Sequence, residues 1–345
     1  MKRAWIILSA ALVLAAPALA GVAKRTKSDV AFRGFGSLSL VSSSKMTPDM
    51  QWTNSETEFK GQGLAGGLIG KSLFRSGDTG QIIDLSASTI AQLDNKKKEY
   101  TVGPIGKMAE QLGGTPRESG AKGEEKPPST LKVTKNEFKV VDTGEASTIN
   151  NFPCRKYLAT WLTEWEDTKS GEKGSSTLES TVWTTQITNS LRQAQEEEMT
   201  FSRAYMKKMG LNIDPEQRDI LGTGWMGMLD AFRQPGAKPK QDASQAAAEM
   251  QKIKGYPIVI DGKYDMTGGK SQGAAEAAPA DEDSSQNIKG GLGGFLKKTL
   301  KKKPADSTPK AAEPMLTYRI EVLEVSTPSL GAADFQVPAD YKKKG

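Results

Sequence analysis

The stretch Leu316-Thr317-Tyr318-Arg319-Ile320-Glu321-Val322 decides the fold class. Leu316, Tyr318, Ile320 and Val322 alternate with Thr317, Arg319 and Glu321, and a period of two puts the apolar set on one face of a β-strand and the polar set on the other. Outward from this segment the same period returns. The even positions Val30, Phe32, Gly34, Gly36, Leu38 and Leu40 read as one apolar face of a glycine-lightened strand. Further strands are expected at residues 82–85, 89–93, 99–102, 131–141, 155–165, 177–187 and 256–264. Short polar turns, notably Asp94-Asn95-Lys96-Lys97 and residues 167–174, separate several of them, the rhythm of an antiparallel meander.

Between residues 189 and 254 the period changes. Phe201, Tyr205 and Met209 recur at helical spacing, as do Leu221, Trp225, Met228, Leu229 and Phe232, which predicts amphipathic helices inserted between strands. Two segments read as unfolded by composition. Residues 104–129 carry Gly113-Gly114, Pro116 and Pro127-Pro128 among charges, a long loop; residues 268–313 run from an Ala-Pro-acidic part into Gly290-Gly291-Leu292-Gly293-Gly294-Phe295-Leu296 and a lysine cluster, a low-complexity disordered insertion. Phe295, Leu296, Lys297, Lys298 and Lys301 are the residues expected to touch a membrane, because an anionic surface would induce an interfacial helix there. The expected organisation is one domain built from residues 21–267 and 314–345.

Residues 1–20 read as a cleavable signal peptide: Lys2 and Arg3 are charged, residues 5–16 are apolar, and Ala18-Leu19-Ala20 is a small-x-small cleavage pattern before Gly21. The expected location is therefore periplasmic or extracellular. Removing that segment leaves 45 basic and 41 acidic residues, a formal charge of +4. So mild a balance, with both signs spread along the chain, does not make a nucleic-acid groove.

The chain has no histidine and one cysteine, Cys154. Ser-His-Asp and Cys-His nucleophile systems need an imidazole, and zinc or copper sites usually need His or several Cys, so no catalytic, metal or cofactor site is expected. Cys154 reads as a buried small apolar residue; an intermolecular disulfide or a reactive thiol is the alternative. Ala65-Gly66-Gly67-Leu68-Ile69-Gly70-Lys71-Ser72 fits a loose phosphate-loop pattern, and Gly61, Gly63 and Gly66 fit a dinucleotide fingerprint. Both need a following helix, and Arg75-Ser76-Gly77-Asp78-Thr79-Gly80 leaves little room for one, so nucleotide binding is set aside. Glu164 with Glu166, and Asp261 with Asp265, are paired carboxylates on strands, but glycosidase chemistry needs two carboxylates at controlled separation in a cleft, and solvated strand-end acids are the expectation.

A resemblance covers residues 30–342. Gly80-Gln81-Ile82-Ile83-Asp84-Leu85, Lys96-Lys97-Lys98, Asn151-Phe152-Pro153-Cys154-Arg155-Lys156-Tyr157, Thr181-Val182-Trp183-Thr184 and Phe335-Gln336-Val337-Pro338-Ala339-Asp340-Tyr341 resemble an uncharacterised exported bacterial domain-of-unknown-function family. That family is similar to the LolA/LolB-like outer-membrane lipoprotein carrier and sorting superfamily. The resemblance implies an α+β fold: a curved antiparallel sheet forming an open half-barrel, with helices covering its concave face over an apolar cavity. The Met-rich helical segment and the long insertions depart from that pattern.

Two functional expectations follow. In the first, an exported non-catalytic envelope protein binds a lipid, another amphiphile or an acylated protein in the half-barrel, with Trp161, Trp183, Trp225, Met228 and Phe232 lining the cavity. In the second, the cavity is filled core and the protein is a periplasmic structural or interaction module whose basic insertion contacts partners or a membrane. The expected partners are a lipid, a lipoprotein or an anionic membrane surface.

Overall fold

The computed structural model of the protein describes residues 19–63, 76–106, 130–210, 243–268 and 313–344. Two meanders share one sheet. The first runs β2 (Val22–Phe32), β3 (Gly36–Met46), β4 (Met50–Gly61), β5 (Gly77–Asp84), β6 (Thr89–Asp94) and β7 (Glu99–Pro104). The second runs β8 (Leu131–Ile149), β9 (Phe152–Asp167), β10 (Lys173–Thr185), β11 (Tyr256–Gly268) and β12 (Leu316–Ser326). Antiparallel pairing of β12 with β2 joins them, and β14 (Lys342–Lys343) adds a short parallel edge to β7, giving twelve strands in the order β14-β7-β6-β5-β4-β3-β2-β12-β11-β10-β9-β8. Separately, β1 (Leu19–Ala20) pairs with β13 (Ser329–Leu330). The expected cleavage point thus falls between β1 and the buried Gly21, whose N–H donates to the Pro328 carbonyl at 3.0 Å.

The residues that opened the sequence reading lie at the centre of this sheet. Leu316, Tyr318 and Val322 are buried on what we term the inner face, while Arg319 and Glu321 stand on the outer face. The apparent single strand of residues 30–40 is instead a hairpin. Arg33-Gly34-Phe35 turns the chain, with Gly34 at φ 72° and Gly36 at φ 142°, and Phe32 pairs with Gly36. Cross-strand partners share a face, so the apolar alternation passes through the turn undisturbed and hides it. Side chains make the other turns: the Asp94 carboxylate accepts from Lys97 N–H at 3.0 Å, and Asp167 accepts from Lys169 N–H at 2.8 Å.

The expectation of an α+β fold with helices covering the concave face is overturned. Of the described residues 62% lie in strands and 14% in helix, and among them there are two helices, α1 (Asn189–Lys208) and α2 (Ala243–Met250), so the fold is largely β. The physical reason is that the sheet fills itself. On the inner face of β4, β3, β2 and β12 to β8, Phe32, Phe35, Phe59, Phe138, Val140, Tyr157, Leu178, Val182, Ile260, Tyr264, Leu316 and Tyr318 form one cluster. Tyr318 lies across Gly262, where an added Cβ would meet its hydroxyl at 2.7 Å, and its OH hydrogen-bonds the buried Ser180. The small Gly262, Ser180 and Ala159 therefore make room for the ring in the middle of the sheet.

Among the described residues, α1 and α2 dock on this face. α1 starts at the N-cap Thr188, whose Oγ1 accepts from Leu191 N–H at 3.3 Å, and buries Leu191, Ala194 and Phe201. Phe201 stacks on Tyr205 and packs with Val22, Met46, Ile83 and Leu85. α2 contributes Ala246 and Met250 to the main cluster.

Across β4 to β7 the burial changes sides. Here the outer face is covered by the C-terminal segment: Leu330, Phe335, Val337 and Tyr341 pack on Trp52, Ile82, Ala91 and Leu93. Twist accumulates from strand to strand, so the two ends of a wide sheet meet different layers, and a hollow lies on each face. The main inner cluster and the outer one thus lie on opposite faces of the sheet, and α1 adds an inner cluster at Val22, Met46, Ile83 and Leu85.

Candidate functional site

The solvated faces follow from that exchange. On the outer face of the central strands, register brings Glu58, Ser39, Asp29, Arg319, Asp261, Thr181 and Leu158 into one row across β4, β3, β2, β12, β11, β10 and β9. This row lines an open trough of about 840 Å³, together with Lys27, Lys60, Glu179 and Lys263. The charges are already paired: Lys27 with Asp29 at 3.1 Å, Lys60 with Glu58 at 3.3 Å, Lys263 with Glu179 at 3.0 Å, and Arg319 with Asp261 at 3.3 Å and Glu321 at 3.0 Å.

Arg319 is the hub. Its guanidinium is a rigid multi-donor fork, and here it links two carboxylates on neighbouring strands. Burial pushes the Glu321 carboxyl up, but Arg319 and the Asn150 amide, which donates at 2.9 Å, outweigh it and hold Glu321 below its ordinary range. Burial acts the same way on Asp29, and the Ser39 hydroxyl at 2.6 Å and Lys27 overcome it. At Asp261 burial wins: its carboxyl sits above the ordinary value despite Arg319 and Lys156. Asp261 is thus the carboxylate in the trough that would gain most from an added cationic or hydrogen-bonding partner.

This arrangement offers charge and hydrogen bonds, and its Ser39 hydroxyl donates to the Asp29 carboxylate. No group of three or more metal-ligating side chains occurs among the described residues. Of the carboxylate pairs read from sequence, Asp261 enters the trough, while Asp265 accepts from Met315 N–H at 3.3 Å and Glu164 and Glu166 do not line it. Cys154 is buried at 4% exposure beside Leu191, Tyr256 and Ile258, and burial raises its thiol pKa.

Of the expected cavity lining, Trp161 and Trp183 can be placed, and they stand on opposite faces of the sheet. Trp161 faces inward opposite Leu178, its ring edge-on to Phe138 at 5.7 Å and its Nε1–H donating to Asn136 at 2.6 Å. Trp183 pairs with Lys156, five residues from Trp161 along β9, so it stands on the opposite face, where the Lys156 ammonium sits 5.7 Å from its ring. Trp225, Met228 and Phe232 lie outside the described residues, as do Phe295, Leu296, Lys297, Lys298, Lys301 and the phosphate-loop-like residues 65–72. The trough itself had a readable signal: opposite charges two apart on successive strands, Lys27 and Asp29, Asp261 and Lys263, Arg319 and Glu321.

One buried ionic group also escaped the sequence reading. Lys24 Nζ bonds Glu198 of α1 at 2.9 Å and lies 5.4 Å from the Tyr256 ring centre. Burial alone would lower the Lys24 pKa, but Glu198 and Tyr256 reverse this and drive it well above the ordinary lysine value. Comparison of the chain with protein-family models, with curated proteins and with solved structures gives no match.

Proposed function

We propose that the protein is an exported, non-catalytic interaction module of the cell envelope that holds a charged polypeptide partner against the outer-face trough. The observation that carries this reading is the trough itself, a concavity of about 840 Å³ lined by four ion pairs. A partner bearing both signs of charge can exchange its own ion pairs with those of the trough strand by strand, which favours specificity over raw affinity. An acyl chain finds no comparable lining there, since it needs continuous apolar wall.

The test has two arms on the full chain. Mass spectrometry of solvent extracts from the purified protein is expected to find no stoichiometric lipid. Affinity capture from envelope extract is expected to retain a defined protein at low salt and to lose it at high salt and in the Arg319→Glu variant. Stoichiometric lipid, or capture indifferent to Arg319→Glu, overturns the proposal.

A further inference from the structure

A second hollow lies on the other solvated face, and its chemistry differs from that of the trough. With the outer side of β4 to β7 buried under the C-terminal segment, the inner side of these strands, beyond the end that α1 covers at Ile83, opens on a hollow of about 530 Å³. Register sets Thr53, Gln81, Gln92 and Thr101 directly opposite one another on four adjacent strands. Such neighbours are spaced about 4.8 Å apart, so the row spans about 14 Å, and Thr79 stands two residues from Gln81 on the same face.

None of these five side chains hydrogen-bonds to the protein among the described residues, whereas the charged members of the lining are spoken for. Lys344 is tied to Glu99 at 2.7 Å, and Asp94 to Lys97 at 3.1 Å and to its backbone N–H at 3.0 Å. Ser55, also in the lining, is bonded to Ser42 at 2.8 Å. The unspent capacity of the hollow is therefore uncharged: three hydroxyls and two carboxamides, each both donor and acceptor. The outer face of β2, β11 and β12, equally solvated, carries alternating Lys, Asp, Arg and Glu at the corresponding positions. Solvation alone does not select neutral side chains in this sheet.

The geometry points to a binding site for a neutral, polyhydroxylated glycan on the inner face of β4 to β7. An anion would need a spare cation, and a cation a spare carboxylate; among the described residues the lining has neither. An acyl chain would need apolar walls. A sugar chain offers donors and acceptors along its length at an interval comparable with the strand spacing, and each carboxamide can meet two neighbouring hydroxyls. No aromatic platform contributes, since Tyr100 packs with the opposite core, so hydrogen bonds carry recognition and modest affinity is expected.

The inference does not rest on the trough, and its test separates the two. Maltohexaose, cellohexaose and chitohexaose are titrated into the full chain and followed by saturation-transfer NMR. At least one is expected to bind saturably, with Kd near or below about 1 mM. The Gln81→Ala/Gln92→Ala double variant should weaken binding at least about tenfold with an unchanged Tm. Thr53→Val, of nearly the same volume, should weaken it as well, whereas Arg319→Glu should leave it unaltered. Absence of saturable binding to all three sugars overturns the inference. So does binding that survives both the double variant and Thr53→Val.

Discussion

At the scale of single residues, the Lys24 to Glu198 pair ties α1 to the sheet. Both side chains are about three-quarters buried, 22% and 25% exposed, so neither charge is well served by water if its partner leaves. Lys24→Met would leave Glu198 facing only the Tyr256 hydroxyl at 3.5 Å. We expect this to cost about 2 kcal/mol, less than a fully buried pair would because of the residual exposure, and Glu198→Gln in the same background should recover part of it. The pH dependence has a definite sign. A lysine whose folded pKa is raised contributes fully below its unfolded value near 10.4, and loses that contribution as pH rises through the folded value. Urea denaturation should therefore show a difference between wild type and Lys24→Met that is flat from about pH 6 to 9 and shrinks above about pH 10. A difference already falling at neutral pH would contradict the pairing.

At the scale of elements, β8 is the exposed edge of the sheet among the described residues, and edges invite pairing with another chain. Its protection is visible. The pairing of β8 with β9 is interrupted by irregularities at Val133/Lys135 and Asp142/Ala146, and the Glu249 carboxylate of α2 accepts from Val140 N–H at 2.8 Å. Lys252 and this amide hold Glu249 below its ordinary pKa, so it stays ionised and occupied. Glu249→Ala would free the Val140 amide beside the exposed Val141 and Leu158, and sedimentation velocity should then reveal concentration-dependent self-association. Glu249→Gln keeps an acceptor and should stay as the wild type; if both variants behave alike, the carboxylate is not the guard. The elements also mark where sequence reading succeeds. β9 to β12 were legible because over much of their length the apolar residues fall on one face, as with Leu316, Tyr318 and Val322 in β12. β4 was not: Thr53, Ser55 and Thr57 on one face and Trp52, Asn54, Glu56 and Glu58 on the other give no apolar period, because the buried side switches along this part of the sheet. The trough was half legible, in its charges two apart. Its assembly was not, since it depends on β12 pairing with β2 across almost the whole chain.

At the scale of the whole molecule, the exchange of cores from inner to outer face implies two cooperative units within one continuous sheet. The unit built on β8 to β12 with β2 and β3 is held by the inner cluster and the unit of β5 to β7 by the C-terminal segment, with α1 bridging them at Val22, Met46, Ile83 and Leu85. They meet in β4, whose Phe59 belongs to the inner cluster while its Trp52 belongs to the outer one. Phe335 is 5% exposed at the centre of the outer core, anchored by the Lys45 to Asp334 ion pair at 2.7 Å. Phe335→Ala should cost about 3–5 kcal/mol, a large share of the stability of a typical domain. Were the sheet a single cooperative body, that loss would lower hydrogen-exchange protection everywhere alike. With two cores, the loss is local: amides of β5, β6 and β7 should exchange faster while those of β9, β10 and β11 keep wild-type protection, because no side chain of the inner cluster touches the mutated site. Uniform deprotection measured by exchange mass spectrometry would show that the continuous ladder, rather than the side chains stacked on either face, sets the cooperative unit.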